Sequence, residues 1–295
     1  MKILVTGGRG QVGFELCRTL SSLGSILAPT RETLDLARSG DVSAYLASHR
    51  PGLIVNAAAF TAVDMAESQR EAAERLNVGL PAQLAAHARE YGIPLVHYSS
   101  DYVYPGSGDK PWEEGDPTEP LSHYGTTKLQ GDQAIQGSGA QHLILRTSWV
   151  YGARGKNFLE TMLRLGRERE ELSIVNDQVG APTPARLIAT TTLLAVREWQ
   201  RGAMAGGLYH LASRGEASWH EFACEIFRQA NAAGEALAIS PGSVTAIPTC
   251  DYPTPATRPL NSRLALGKLE SALGITLPDW RTQLALTLAE RLLAR

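Results

Sequence analysis

Cysteine is scarce in this chain of 295 residues: there are three, at positions 17, 224 and 250. Such a small, odd and scattered set argues against a disulfide framework or a cysteine-built zinc site, and suits a reducing cytoplasm. Cys17, on the apolar face of the first expected helix, reads as core. Neither sign of charge dominates, since 28 basic residues face 30 acidic ones for a net of −2. No basic block marks a nucleic-acid footprint, and no basic amphipathic segment marks a membrane surface. No apolar run approaches the roughly 20 residues that cross a bilayer. The chain opens on a strand-like run and a turn, which is not the pattern of a secretory leader. Hydrophobic residues make up 43%, enough for a large core in one large domain or two modest ones.

What is present starts at the N-terminus. Lys2-Ile3-Leu4-Val5-Thr6 is apolar and β-prone, as expected of the first buried strand of a parallel sheet. It runs into Gly7-Gly8-Arg9-Gly10-Gln11-Val12-Gly13, and the apolar spacing that follows fits a helix. Strand, glycine turn and helix together form a dinucleotide-binding context. Gly7 and Gly8 allow the tight turn, Gly10 lets backbone N–H groups approach a pyrophosphate, and Gly13 lets helix and strand pack closely. An ordinary glycine-rich turn would not need that whole context.

Farther along, strand-like segments at 26–29, 53–58, 94–99 and 142–148 alternate with helical ones at 42–49, 66–91 and 122–136. This alternation predicts an α/β fold, a doubly wound parallel sheet of the Rossmann type with helices on both faces. A Gly-, Pro- and acid-rich stretch, 105–120, reads as a surface loop. After about residue 150 helices and proline-rich loops take over. The expected organisation is a dinucleotide-binding domain over 1–150, with the chain returning to it around 175–212. Residues 151–295 then form mainly a smaller C-terminal substrate-binding lobe. There are no internal repeats.

Tyr124 and Lys128 stand four apart in a predicted helix and so share a face. A phenol with an ordinary pKa of about 10 exchanges protons poorly at neutral pH. A neighbouring ammonium is expected to lower that pKa and make acid–base catalysis possible. Ser99-Ser100-Asp101 closes the fourth strand, and ligands of such sheets bind at strand C-termini. There Ser100 can hydrogen-bond a substrate oxygen beside the tyrosine, although as turn residues these side chains would only satisfy local backbone. Asn56-Ala57-Ala58-Ala59 follows the third strand, with side chains small enough to admit adenine and ribose.

Gly7-x-x-Gly10-x-x-Gly13, Asn56-Ala57-Ala58, Ser99-Ser100, Tyr124-x-x-x-Lys128 and Arg146-x-Ser148-x-Val150-Tyr151-Gly152 together resemble the extended short-chain dehydrogenase/reductases. Within that superfamily the chain resembles the family of dTDP-4-dehydrorhamnose reductases. VNAAAFTAVDMAE (55–67), HYSSDYVYPG (97–106) and RTSWVYG (146–152) carry the likeness. NDQVGAPTPA (176–185) and RPLNSRL (258–264) extend it to nearly the whole chain.

The resemblance implies NAD(P)H-dependent reduction of the C4 ketone of dTDP-4-dehydro-L-rhamnose, the last step of dTDP-rhamnose synthesis for cell-surface polysaccharide. Tyr124 would donate the proton, Lys128 would hold the nicotinamide ribose, and Ser100 would polarise the carbonyl where the family usually has Thr. Gly7, Gly10, Gln11, Val12, Gly13, Asp35, Leu36, Ala57, Ala58, Ala59, Thr61 and Tyr98 would complete the cofactor site. Ser100, Asp101, Trp149, Arg258 and Asn261 would bind substrate, Trp149 as an apolar wall unless it is plain core. Arg31, near the end of the second strand, favours NADPH, with NADH open. Some relatives hold Mg²⁺ between glutamates at a dimer interface. Glu15 and Glu290 match two of those positions, but Arg186 stands where a further acid is expected, so no metal is assigned. A small-molecule nucleotide sugar is the expected partner, a homodimer is compatible, and neither nucleic acid nor membrane is expected. The alternatives are a sister epimerase or dehydratase and an NADP-binding regulatory subunit of methionine adenosyltransferase. Dehydratases carry an Asp-Glu pair after the hydroxyl residue, and here Asp101 is followed by Tyr102.

Overall fold

The run Lys2–Thr6 forms strand β1 and enters helix α1 (Gln11–Leu20) through the glycine turn. Strand β2 (Ser25–Leu27), helix α2 (Ser39–His49) and strand β3 (Leu53–Asn56) follow. The computed structural model describes residues 1–293. Beyond β3 lie α3 (Val63–Ala66), α4 (Arg70–Glu74), α5 (Leu80–Tyr91), β4 (Leu95–Ser100), α6 (His123–Gly137) and β5 (His142–Thr147). Short paired segments then alternate with helices. They are β6 (Val150–Tyr151), α7 (Phe158–Glu168), β7 (Leu172–Val175), β8 (Val179–Gly180) and β9 (Thr183–Pro184). Helix α8 (Ala185–Gln200) and strand β10 (Gly207–His210) come next, followed by β11 (Ala217–Ser218) and α9 (Trp219–Ala232). The chain closes with β12 (Val244–Ile247), β13 (Asn261–Ser262), α10 (Gly267–Leu273) and α11 (Trp280–Leu293).

Six strands form one parallel sheet in the order β2-β1-β3-β4-β5-β10. Alternate residues of each strand feed opposite faces, as a period of two requires. Ile3, Val5, Leu53, Val55, Val96, Leu143 and Leu145 pack with Leu16, Leu20, Ile188 and Val196 of α1 and α8. Leu4, Ile54, Leu95 and Ile144 pack with Val42, Leu46, Leu84, Ala88 and Ile135 of α2, α5 and α6. Each fully buried leucine contributes about 1.5–3 kcal/mol. A further cluster, built on Leu159, Phe222, Phe227, Trp280 and Leu284, joins α7, α9 and α11. No helix among the described residues is long and apolar enough to cross a membrane.

Three boundaries differ from the sequence reading. β2 stops at Leu27, short of Pro29, which has no N–H to give a ladder. β3 stops at Asn56, so Ala57 and Ala58 belong to the loop beyond it. The expected single helix over 66–91 is instead α3, α4, a π-helical turn at Arg75–Gly79 and α5, whose first turn carries Pro81.

The π turn is built around Asn77, which is fully buried. Its side chain accepts from the Phe60 N–H at 2.8 Å and donates to the Phe60 carbonyl at 3.1 Å and the Thr127 hydroxyl at 3.0 Å. It thereby ties the loop after β3 to α6. Gly131 makes this possible, because a Cβ there would stand 2.2 Å from the Asn77 carbonyl oxygen. Asn77→Ala leaves both Phe60 backbone groups unpaired. At about 1–3 kcal/mol for each buried group without its partner, the loss of unfolding free energy should be about 2–6 kcal/mol. Urea denaturation should show a lower midpoint with an unchanged slope.

Candidate active site

β1 and β3 are neighbours in the sheet, and their connections leave in opposite directions, which opens a crevice at their C-terminal ends. The glycine turn forms its floor. Gly7 has φ +67°, and a Cβ there would meet the backbone of Ala57 and Ala58 at 2.9 Å. A Cβ on Gly13 would lie 2.1 Å from the Gly7 carbonyl oxygen. That oxygen already accepts the Gly10 N–H at 2.8 Å. Helix α1 begins at Gln11 with no side-chain cap, so the orphan N–H groups of its first turn face the crevice.

The crevice is a cavity of about 1000 Å³. It brings together Gly7, Gly10, Gln11, Val12, Arg31, Asp35, Leu36, Ala57, Ala58, Ala59, Thr61, Tyr98, Ser100, Asp101, Tyr124, Lys128 and Trp149. This volume over a bare helix N-terminus, with glycines whose side-chain space is filled by backbone, fits a dinucleotide. Arg31, exposed at one end, stands beyond the end of β2.

At the other end, Ser122 caps α6 by accepting the Gly125 N–H at 3.2 Å, which starts the helix one residue before Tyr124. Lys128 is 2% exposed. Its ammonium donates to the Tyr98 carbonyl at 2.7 Å and lies 3.3 Å from His97 Nε2. Burial lowers its pKa to about 8, with Asp132 pulling the other way. Asp132 in turn pairs with Arg146 at 3.0 Å.

Tyr124 departs from expectation. Its phenol is pushed up to about 12, chiefly by burial and then by the nearby Asp101 and Asp132; the Ser100 hydroxyl opposes this. The Lys128 ammonium is directed to the Tyr98 carbonyl of β4. Tyr124 is thus held in its protonated form.

Ser100 donates to Asp101 Oδ1 at 3.1 Å and accepts the Tyr102 N–H at 3.1 Å. Asp101 is buried, which raises its carboxyl to about 6 against hydrogen bonds from Ser262 and Ser100. Trp149 lines the cavity with a strained φ of +48°. Its indole stacks on Trp219 at 3.6 Å and 6°. The pair is a wall, and Gly180 behind it leaves no room for a Cβ, which would be 2.8 Å from the Trp149 ring.

Three expected residues lie outside the lining. Gly13 acts by close packing only, as its Cβ clash with Gly7 requires. Asn261 is 1% exposed, and its amide is spent on the carbonyls of Ser107 (3.3 Å) and Lys110 (2.8 Å), so it clamps a loop rather than facing the cavity. Arg258 pairs with Asp64 at 2.7 Å, while its Nη1 is buried with no hydrogen-bond partner among the described residues. Sequence reasoning missed Asn77, His97 and Trp219. The Ser218–Glu221 capping box could have marked the start of α9, but not the stack of Trp219 on Trp149.

Glu15 and Glu290 do come together beside a smaller cavity, but Arg186 stands 3.1 Å and Arg18 3.8 Å from Glu290. Glu290 is thus matched by two guanidinium groups, while burial and the charge of Glu290 raise the Glu15 carboxyl above its ordinary range. No cluster of three His, Cys, Asp or Glu suited to a metal occurs among the described residues.

Comparison with known proteins agrees over the full length. Residues 1–292 match the family described as RmlD substrate binding domain. The dTDP-4-dehydrorhamnose reductase of Escherichia coli (strain K12) is 47% identical over 285 residues, 95% of each chain. A crystal structure of a dTDP-4-dehydrorhamnose reductase from Clostridium acetobutylicum superposes with TM-score 0.91 at 34% identity, covering all of both chains. That of the Bacillus anthracis enzyme, in complex with NADP, gives 0.87 at 31%, covering 98% of this chain and 99% of that one.

The state of Tyr124 is measurable. Tyrosinate absorbance of the protein and of Tyr124→Phe should be the same from about pH 7 to about pH 10, where an activated phenol would titrate. A difference appearing near neutral pH would mean that the lysine does lower the phenol's pKa.

Proposed function

Since the chain belongs to the RmlD substrate binding domain family, we propose that it reduces the C4 ketone of dTDP-4-dehydro-L-rhamnose to dTDP-L-rhamnose with NADPH, NADH serving less well. The observation that carries the proposal is the joint placement of Ser100, Tyr124 and Lys128 at one end of a cavity floored by the glycine turn.

Bound NADPH supplies the hydride. Tyr124 gives its proton to the ketone oxygen as that oxygen becomes a hydroxyl. A phenol pushed up to about 12 is protonated at neutral pH; it is a weak acid, and its proton moves because hydride addition turns the ketone oxygen into a strongly basic alkoxide. Ser100 polarises the ketone with its hydroxyl. Lys128, cationic below about pH 8, holds the nicotinamide ribose. Gly7, Gly10, Gln11 and Val12 hold the pyrophosphate, and Gly13 keeps the turn closed. Ala57, Ala58, Ala59 and Thr61 flank the ribose, Asp35 and Leu36 the adenine, and Tyr98 the nicotinamide side. Asp101 and Trp149 contact the sugar, with Trp219 backing the wall. Arg258 offers its unpaired Nη1 to the nucleotide diphosphate. Asn261 is left out of this set, since its amide is committed to Ser107 and Lys110.

In this scheme residues 1–150, with the return around 175–212, bind the dinucleotide, and 151–295 mainly form the substrate lobe. The partner is a small nucleotide sugar, not nucleic acid. The setting is the cytoplasm, where Cys17, Cys224 and Cys250 stay as thiols. A homodimer is part of the proposal, and sedimentation decides it.

The deciding experiment measures nicotinamide oxidation against dTDP-L-rhamnose formed. One oxidised cofactor per sugar is expected, and Tyr124→Phe should lower turnover by about 10²–10⁴ while cofactor still binds. Sugar conversion without net oxidation would sink the proposal in favour of an epimerase. Cofactor binding with no conversion of any nucleotide sugar would favour a regulatory module.

Arg31→Asp removes a partner for the 2′-phosphate and adds an acceptor for a free 2′-hydroxyl. The ratio of kcat/KM for NADPH over NADH should fall, by about tenfold or more if one charge-assisted bond of about 1.5–3 kcal/mol is lost. An unchanged ratio would put Arg31 outside the adenosine site.

A further inference from the structure

Thr6, Asn56 and His97 stand side by side on β1, β3 and β4, paired in register. All three are buried, His97 with 0% exposure. The Thr6 hydroxyl accepts the Ala58 N–H at 3.3 Å and donates to Asn56 Oδ1 at 2.6 Å. Asn56 Nδ2 lies 3.0 Å from His97 Nδ1, and His97 Nε2 lies 3.3 Å from the Lys128 ammonium. A polar row thus crosses the three central strands, from the loop lining the cavity to Lys128. On the next strand, His97 pairs in register with Ile144, so the row turns off the sheet at His97.

We propose that this Thr6–Asn56–His97 row sets the proton affinity of Lys128, with His97 as the positioning residue in contact with it. The inference deepens the reductase reading and rests on it for the role of the lysine. With Oδ1 engaged by Thr6, the Asn56 amide donates to Nδ1. The imidazole proton is then on Nε2, since the hydrogen bond at one ring nitrogen fixes the state of the other. A neutral imidazole that points an N–H at Nζ disfavours the ammonium. His97 is itself held neutral, its pKa far down through burial and the charge of Lys128. The other groups around the lysine are Asp132 and Tyr124, one turn away on α6, and the Tyr98 carbonyl on β4. Arg146 on β5 meets it only through Asp132. Of these Asp132 and the Tyr98 carbonyl favour the cation, and Arg146 shares the aspartate's charge. The row is therefore the one neighbour whose polarity can be reversed without touching the cavity.

Asn56→Asp reverses it. An acceptor-only carboxylate still takes the Thr6 hydroxyl but must draw Nδ1–H, which leaves the Nε2 lone pair facing the ammonium. The Lys128 pKa, read from the Cε chemical shift of isotope-labelled lysine in the free protein, should rise by about one unit or more, a change of about 1.4 kcal/mol. The alkaline fall of kcat/KM, expected near about pH 8 as the cation is lost, should move up with it. In Asn56→Asp/His97→Leu the link is cut and the rise should vanish. An unchanged pKa in Asn56→Asp overturns the inference, and so does an equal rise in the double variant, which would be a through-space charge effect. If Asn56→Asp does not fold, His97→Gln is read instead. Its amide oxygen accepts from Nζ, so the pKa should rise; no rise there overturns the inference. A purely structural His97 would change the melting temperature and leave the lysine titration alone. If the lysine titration responds as expected while no form reduces the sugar, the functional reading fails and the row stands.

Discussion

A buried ammonium is the constraint that organises this site. Taking a lysine head group out of water costs several kcal/mol even after relaxation, and Lys128 is only 2% exposed. The groups that favour it come from separate parts of the fold: the Tyr98 carbonyl from β4 and Asp132 from its own helix. Asp132 must be shared with Arg146, whose Nη1 donates to the Tyr104 hydroxyl at 2.8 Å. That anchorage requires α6 to lie close against its neighbours. Gly125 and Gly131 allow it, for a Cβ at either position would stand 2.3 or 2.2 Å from a backbone oxygen, of Tyr102 and Asn77 respectively.

The same anchorage separates the two halves of the Tyr-x-x-x-Lys pair. Helical spacing puts both side chains on one face, yet the lysine donates to the Tyr98 carbonyl on β4 while the buried phenol lies near Ser100 and Asp101. Burial then outweighs the single opposing hydrogen bond from Ser100. An enzyme that oxidises alcohols needs a phenolate base. One that reduces ketones starts from a protonated phenol, which Tyr124 is at neutral pH.

What could be read from the sequence was what depends on local geometry. The glycine turn was legible because Gly7 and Gly13 answer to atoms a few residues away or on the adjacent strand end, a constraint that leaves a spacing in the sequence. Ser100 and Lys128 were legible for a similar reason, since strand ends and helical turns place side chains predictably. The contributions of Asn77, His97 and Trp219 were not, because each is defined by a partner brought in by sheet register or lobe packing: Phe60 and Thr127, Asn56 and Lys128, and Trp149. Asn261 and Arg258 show the converse. Both sit in a motif that suggests ligand binding, but one amide is consumed by the loop at Ser107–Lys110 and one guanidinium half-consumed by Asp64. The expected long helix failed at Asn77 because three tertiary hydrogen bonds outweigh an unbroken α-helical ladder.

The residues around Ser100 also limit what this fold can be diverted to do. Elimination of water from a sugar calls for an acid and a base of distinct strength next to the hydroxyl group. Asp101, raised to about 6 by burial, could lend a proton, but its neighbour in sequence is a phenol. Tyr102 is pushed above its ordinary pKa by burial and by Asp101, and its ring meets Tyr124 edge-on at 5.6 Å. It therefore packs against Tyr124 and contributes no second carboxyl. The Asp-Glu pair that dehydratases carry after the hydroxyl residue is therefore incomplete in this chain, because Asp101 is followed by Tyr102.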